Sequence, residues 1–192
     1  MDHELYSFAF KGLLTDQTLD RTPRLRRRSL GDLEPEVSKR LPIDVLDEDI
    51  VSRAKRMAVV YVAIAAFENT VREFVSKRLL ESLGADWWIQ GVSEKIRVKA
   101  ESRREEESKI KWHSQRGDLP INYTEFGDLS SIVSQNWVHF EDYLHETQEW
   151  MRQIITTLER SRNVIMHSGE LGAQDIERIG TSIRDWIRQV GT

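Results

Sequence analysis

An all-α fold is predicted for this 192-residue chain, and two observations predict it. Glycine and proline are scarce, at 10 and 4 residues, so few positions interrupt a regular backbone. Long segments repeat apolar residues at helical spacing, whereas no segment shows the strict alternation that is typical of a strand. We therefore expect one helical core, with a long central helix in the first half of the chain.

The first 44 residues differ in composition from the rest of the chain. Residues 5–14 can form a short amphipathic helix, and residues 16–23 interrupt that pattern. Residues 21–28 contain no acid and five arginines, among them Arg24, Arg26, Arg27 and Arg28. Guanidinium groups bind phosphate bidentately, so this segment is either an RNA-contacting arm or a solvated linker. We assign residues 1–44 to an N-terminal helix and an Arg-rich arm or linker, and residues 45–192 to a helical domain.

The central helix is expected to run from Asp44 to about Leu83, just before Gly84. Its middle, residues 57–67, is apolar on nearly every side, so we expect other helices to surround it. This apolar run is well short of the roughly 20 residues that cross a bilayer, and no membrane association is predicted. Glu68 and Arg72 follow at i, i+4 spacing, which permits an ion pair. Such a pair is either structural or a support that orients catalytic groups.

Further helices are predicted between Gly84 and the C-terminus. One begins near Asp86 and continues through the charged stretch at 94–111, and Thr124 or Asn122 can cap a short helix through Val133. Another extends from Trp137 toward Arg162 with an interruption allowed near 146–149. The last covers residues 176–190.

Composition also limits the function classes. Cysteine is absent, which excludes disulfides, thiol nucleophiles and Cys-based zinc sites and fits a reducing compartment. The N-terminal residues do not form a secretory leader, so we expect a cytoplasmic protein. The net charge of -4 argues against a protein that coats nucleic acid through a broad basic surface. Any contact with RNA must therefore be local.

The candidate site is the stretch from Arg162 to His167, which Ser168 and Gly169 follow. A permanent cation that binds phosphate and an imidazole that moves protons near neutral pH are together a minimal set of groups for cleaving RNA. The spacing alone proves little, because 20 arginines and 5 histidines give about half a match by chance. A surface helix end, with Arg162 paired to Glu159 or Glu170, is the structural alternative.

Helix geometry constrains how the two side chains can act. Residues i and i+5 lie about 140° apart on an ideal helix, so Arg162 and His167 do not form a same-face metal pair. We expect no metal and no cofactor. Gly169 is expected to end the helix. The two groups can meet on one phosphate if the helix ends between them, or if two copies combine their groups across a two-fold axis.

Several separated patches resemble the Swt-type branch of the HEPN superfamily, a group of helical nucleases and nucleotide-binding modules. Asn163 fills the polar position that usually follows the motif arginine in that superfamily. The likeness covers roughly residues 45–190. The patches are Phe67-Glu68-Asn69-Thr70-Val71-Arg72, Trp87-Trp88, Tyr123-Thr124-Glu125-Phe126-Gly127-Asp128-Leu129, Asn136-Trp137 with Phe140, and Arg162-Asn163 with His167.

This resemblance implies a dimeric HEPN-like bundle of four or five helices that cleaves RNA without a metal at a cleft shared by two copies. His167 would transfer the protons, Arg162 would stabilise the phosphorane, and Asn163 would position His167 or the phosphate. The products would carry 2',3'-cyclic phosphate and 5'-hydroxyl ends, and a toxin, defence or RNA-surveillance nuclease is expected. The expected partners are RNA, a second copy and an antitoxin or regulatory protein. The alternative is a noncatalytic HEPN module that binds nucleotide, RNA or a partner protein.

Overall fold

The computed structural model of the protein describes residues 37–190. The predicted helix at residues 5–14 and the arginines of residues 21–28 lie outside this range, and their roles stay predictions. The described residues divide after Val51, and the unit that begins at Ser52 contains the core and the candidate site described below. The proposed domain boundary at residue 44 likewise stays a prediction.

Six α-helices and three short 3-10 helices lie wholly within residues 37–190, and this part of the chain contains no strand. The all-α prediction is confirmed. The α-helices are α1 (Glu48–Leu83), α2 (Trp87–Gly91), α3 (Glu94–Ser108), α4 (Phe126–Gln135), α5 (Gln148–Met166) and α6 (Ala173–Val190). The 3-10 helices are Ile43–Val45, Pro120–Tyr123 and Trp137–His139.

Helix α1 is 36 residues long because no glycine or proline interrupts it. Its buried residues recur every three or four positions along one face: Met57, Val60, Ile64, Phe67, Glu68, Val71, Val75 and Leu79. The opposite face is exposed, and the side chain of Val59 is 73% accessible. The expectation that other helices surround the middle of α1 was therefore wrong. Its apolar character continues onto a face that nothing in residues 37–190 covers.

The core forms where α1 meets the helices of the second half of the chain. Trp186 of α6 is fully buried, and its ring meets Phe67 of α1 edge-on at a centroid distance of 5.4 Å. On another side, the ring stacks on Trp150 of α5 at 6.1 Å. Large aromatic rings bury more apolar area than other side chains, so this cluster fixes α1, α5 and α6 to one another.

The predicted helix from Asp86 through residue 111 is in fact two helices, α2 and α3. Val92 is extended, with φ -115° and ψ 126°, so the helical ladder breaks there. The carbonyl of Gly91, which the break leaves without a helical partner, accepts a hydrogen bond from Nδ2 of Asn136 at 2.6 Å. Gly91 and the N-cap residue Ser93 flank this break, and the tertiary contact with Asn136 compensates for it.

Two predicted helix starts also differ from the observed ones. Neither Thr124 nor Asn122 caps α4; a capping box between Glu125 and Asp128 does so instead. The predicted helix from Trp137 forms only a 3-10 turn at its start, and α5 begins after Thr147, whose hydroxyl accepts a hydrogen bond from the Trp150 amide at 3.1 Å. The interruption allowed near residues 146–149 is therefore a true helix boundary.

Candidate functional site

The C-terminal end of α5 carries the Arg162–His167 motif. The helix ends at Met166 and His167 is its cap residue. Ser168 donates its amide hydrogen to the carbonyl of Ile165 at 2.9 Å, and Gly169 donates to the carbonyl of Val164 at 2.8 Å. These two bonds form a Schellman motif, which closes the last turn of a helix.

Ser168, not Gly169, adopts the left-handed conformation at this helix end. Its φ is 61°, and it is the one residue other than glycine with a positive φ in residues 37–190. Gly169 is needed for a different reason, since a Cβ there would lie 2.7 Å from Cγ1 and 2.9 Å from the carbonyl oxygen of Val164. The prediction that Gly169 ends the helix is thus corrected. A left-handed serine costs roughly 1–2 kcal/mol, and this strain lies directly beside His167.

Arg162 is anchored by a buried carboxylate on α1. Its Nε lies 3.2 Å from Oε2 of Glu68, whose side chain is 8% accessible. The pairing with Glu159 or Glu170 that a simple surface helix end would have is not found. Oε1 of Glu159 accepts the amide hydrogen of Gly127 at 2.9 Å, and Glu170 pairs with arginines of α1.

The same carboxylate also holds Arg72, as the i, i+4 spacing allows. Nη2 of Arg72 lies 2.6 Å from Oε1 of Glu68 and 2.9 Å from the carbonyl oxygen of Thr124, and Nε donates to the carbonyl of Ile121 at 3.3 Å. The guanidinium of Arg72 therefore ties Glu68 to the second 3-10 helix and to its cap residue Thr124. Two cations around one buried carboxylate leave the cluster with a net positive charge, which suits an anionic ligand.

His167 and Asn163 are both exposed at this helix end. The amide hydrogen of His167 reaches the carbonyl of Asn163 at 3.1 Å, so the backbone remains helical up to the cap. Because helical geometry persists from Arg162 through Met166, the two motif side chains leave α5 on different sides. The structure brings Arg162 together with Glu68 and Arg72, but it does not place Arg162 and His167 on one face.

Two further arginines flank the segment that follows the motif. Arg53 and Arg56 of α1 pair with Glu170, at nitrogen–oxygen distances of 3.5 and 3.1 Å. The amide of Leu171 lies 3.3 Å from Sδ of Met57. Sequence reasoning missed this contact because no local pattern links residues that lie more than 100 positions apart in the chain. The one feature of the sequence that pointed to this region was the spacing of Arg53 and Arg56, which lie three residues apart on the predicted helix.

The described residues give no sign of a metal centre or a bilayer-crossing segment. Between residues 37 and 190, no three histidine, aspartate or glutamate side chains are grouped in a way that could hold a metal ion. Within the same range, every helix is too short or too polar to cross a membrane.

Comparison with models of known families shows which family the chain belongs to. The model of the Swt1-like HEPN family matches residues 63–191. The chain belongs to the Swt1-like HEPN family. No curated protein and no solved structure gives a significant match. The HEPN match includes Glu68, Arg72 and the whole stretch from Arg162 to His167, so the anchored arginine and the exposed histidine both belong to the family's domain.

HEPN membership places the chain among helical modules that are nuclease-like or otherwise related to RNA. In this HEPN domain, the end of α5 offers a fixed cation, a polar amide and an accessible imidazole within six residues. Such groups can bind a phosphate and move protons at its oxygens.

Proposed function

We propose that the protein is a homodimeric endoribonuclease that cleaves RNA without a metal ion and leaves 2',3'-cyclic phosphate and 5'-hydroxyl ends. The observation that carries this proposal is the anchoring of Arg162 by the buried carboxylate of Glu68, immediately before the exposed Asn163 and His167. Membership of the HEPN family supports it.

Arg162 is the group that binds phosphate. Its Nε lies 3.2 Å from Glu68, and in this proposal the terminal guanidinium nitrogens form a fork for two phosphate oxygens. Glu68 is itself held by Arg72, which keeps the guanidinium of Arg162 in place before the substrate arrives. A preorganised cation stabilises the negative charge that develops on the phosphorane more effectively than mobile solvent does.

His167 is the group that transfers protons. In the first step, the ribose 2'-oxygen attacks phosphorus, the bond from phosphorus to the 5'-oxygen breaks, and the 2',3'-cyclic phosphate forms. One imidazole takes the proton of the 2'-hydroxyl or delivers a proton to the leaving 5'-oxygen. Asn163 orients the imidazole or the phosphate by hydrogen bonding. DNA has no 2'-hydroxyl and therefore resists this reaction.

A second copy of the chain completes the site. Arg162 and His167 leave α5 on different sides, although the helix ends at Met166 between them, and we infer that the site is closed more readily by groups from two copies than by one copy alone. A two-fold axis beside the helix end places His167 of one copy opposite Arg162 of the other. This arrangement supplies both groups without unwinding α5.

The exposed face of α1 offers an apolar surface for that second copy. Two contacts, Met57 with Leu171 and Glu68 with Arg162, bracket the part of α1 that passes the motif segment. Between them, the exposed residues of α1 are small and apolar: Ala58, Val59, Val62, Ala63 and Ala66. Val164 and Met166 are exposed on α5 itself. Apolar surface of this kind is typical of helix packing between subunits.

The direct test is incubation of mixed RNAs with the purified protein in EDTA, followed by analysis of the product ends. Arg162→Ala and His167→Ala are each expected to lower cleavage by about a hundredfold or more, because a cation or a proton-transfer group is lost. Arg160→Ala and His145→Ala remove the same side-chain types from exposed positions outside the motif and should leave cleavage unchanged. Full cleavage by either motif variant would contradict the site, and RNA binding without any cleavage by the wild type would identify a noncatalytic module.

A further inference from the structure

Trp112 stands apart from the other five tryptophans of the chain. Its side chain is 86% accessible, whereas Trp186 is fully buried and Trp87, Trp88, Trp137 and Trp150 pack against the core. A tryptophan normally buries a large apolar area, so an exposed indole on an ordered loop is an available binding surface.

The loop around Trp112 is held in shape by contacts at its end. Nε of Arg116 lies 2.5 Å from Oε1 of Glu107, and the amide of Arg116 lies 3.2 Å from Oε2 of the same carboxylate. The hydroxyl of Tyr123 donates to the carbonyl of Gly117 at 3.1 Å. A ligand that binds here therefore meets a largely preformed surface, which reduces the entropy lost on binding.

The ring itself is oriented but left open. His113 meets it edge-to-face, with ring centroids 5.6 Å apart and planes at 79°. Such a contact covers at most one face of the indole, so a flat partner can stack on the other. A cavity of about 290 Å³ on the same loop is lined by Glu107, Ile110, Arg116 and the three residues from His113 to Gln115, so it is separate from the open face of Trp112.

The charge of the loop favours an anionic ligand. Residues 109–116 contain Lys109, Lys111 and Arg116 and no acid. Glu107 neutralises Arg116, whereas both lysines are exposed and have no ion-pair partner in the described part of the chain. Two exposed ammonium groups that precede the open indole by one and three positions match a strand that alternates phosphates with aromatic bases.

We propose that the loop at residues 109–116 binds an unpaired stretch of RNA, with one base stacked on Trp112 and the flanking phosphates held by Lys109 and Lys111. The inference rests on the proposed function in that RNA is the ligand. It adds a binding surface for single-stranded RNA that is separate in sequence from the Arg162–His167 motif. Unpaired bases are the ones that an aromatic side chain can reach.

The test measures binding rather than cleavage, with a short fluorescent oligodeoxythymidylate as the probe, because stacking does not require the 2'-hydroxyl. Trp112→Ala is expected to weaken binding by about tenfold or more, and Trp112→Phe should retain most of it. The same oligonucleotide with abasic sugars should not distinguish Trp112→Ala from the wild type. The double substitution of Lys109 and Lys111 by alanine should flatten the salt dependence by about 1 to 1.5 in the logarithmic slope.

A matched control removes Lys95 and Lys99, which are exposed on α3, and should leave the slope close to that of the wild type. Unchanged binding by Trp112→Ala, or an equal loss on the abasic probe, would overturn the inference and assign the ring to a protein partner. If Trp112→Ala binds normally while the wild type cleaves RNA, this inference fails and the proposed function stands. If Trp112→Ala weakens binding and the wild type does not cleave RNA, this inference stands and the proposed function fails.

Discussion

The Nε atom of Arg162 lies 3.2 Å from Oε2 of Glu68, and this contact joins the end of α5 to the middle of α1. The second oxygen of the same carboxylate lies 2.6 Å from Nη2 of Arg72. Glu68 is therefore shared by Arg72, which is 14% accessible and contacts backbone carbonyls, and by Arg162 at the candidate site, which is 31% accessible. Arg72 therefore contributes to the fold, and Arg162 contributes to the candidate site.

Loss of Glu68 should destabilise the fold far more than loss of Arg162. Glu68→Ala leaves the largely buried guanidinium of Arg72 without its counter-charge, and a cost toward the lower end of about 3–5 kcal/mol is expected because Arg72 keeps two carbonyl acceptors. Arg162→Ala leaves Glu68 paired with Arg72 and removes a side chain that is 31% accessible, so about 1 kcal/mol or less is expected. Urea unfolding followed by circular dichroism measures both changes. Equal losses in the free energy of unfolding would show that Arg72 by itself is not enough to hold the Glu68 carboxylate.

Arg162→Lys should be nearly as inactive as Arg162→Ala although it keeps the charge. An ammonium group cannot bind Glu68 through one nitrogen and a phosphate through a fork of two others. We expect cleavage in EDTA to fall by about a hundredfold, with stability close to that of the wild type. Substantial activity of the lysine variant would mean that charge alone suffices at this position.

Ser168→Gly should stabilise the helix end beside His167. Glycine adopts a φ of 61° without steric cost, so a gain of about 0.5–1 kcal/mol is expected. Gly169→Ala should have the opposite effect, because the new Cβ would lie 2.9 Å from the carbonyl oxygen of Val164. Gly172→Ala is the control, since its Cβ meets nothing closer than 3.7 Å. Thermal unfolding of the three variants measures the order of their stabilities.

Val59→Glu should separate the two copies without unfolding either one. Its side chain is 73% accessible in one copy, so a charge there costs the monomer about 0.5 kcal/mol or less. The same charge would be buried at the proposed interface, where it is strongly unfavourable. Light scattering should report a monomer and RNA cleavage should be lost. Val98→Glu introduces the same charge on the exposed surface of α3 and should change neither property.

A mixture of Arg162→Ala and His167→Ala should recover part of the lost activity. In a mixed dimer, the intact Arg162 of one copy faces the intact His167 of the other, so one of its two sites is complete. Random exchange then gives about a quarter of the wild-type rate. The mixture is compared with each variant alone at the same total concentration. No recovery after verified subunit exchange would exclude a site built from one group of each copy.

The helical class and most helices could be predicted because they depend on local patterns. The apolar repeat of α1, Gly84 after its end and the apolar stripe of α6 are all visible in the sequence. The predicted single helix overlooked Gly91 and Ser93, which are helix-end and helix-start residues on either side of the break at Val92. The contact that compensates for this break could not be predicted from a local pattern, because the side chain of Asn136 lies 45 positions from the carbonyl of Gly91 that it contacts.

The candidate site was only partly predictable for the same physical reason. The pair of Glu68 with Arg72 follows from i, i+4 spacing, and the structure contains it. The pair of Glu68 with Arg162 depends on how α1 packs against α5, and no spacing rule relates residues 94 positions apart. The left-handed Ser168 was also missed, since glycine at the next position was the more usual candidate for that conformation.

The shared carboxylate of Glu68 has an evolutionary consequence. A single codon change at Arg162 removes the proposed phosphate-binding cation, whereas Arg72 remains to pair with the buried carboxylate of Glu68. On the proposed function, chemistry and architecture are therefore inherited separately in such a domain. A lineage that lost the proposed cleavage in one step would retain a folded scaffold that selection can adapt to recognition instead.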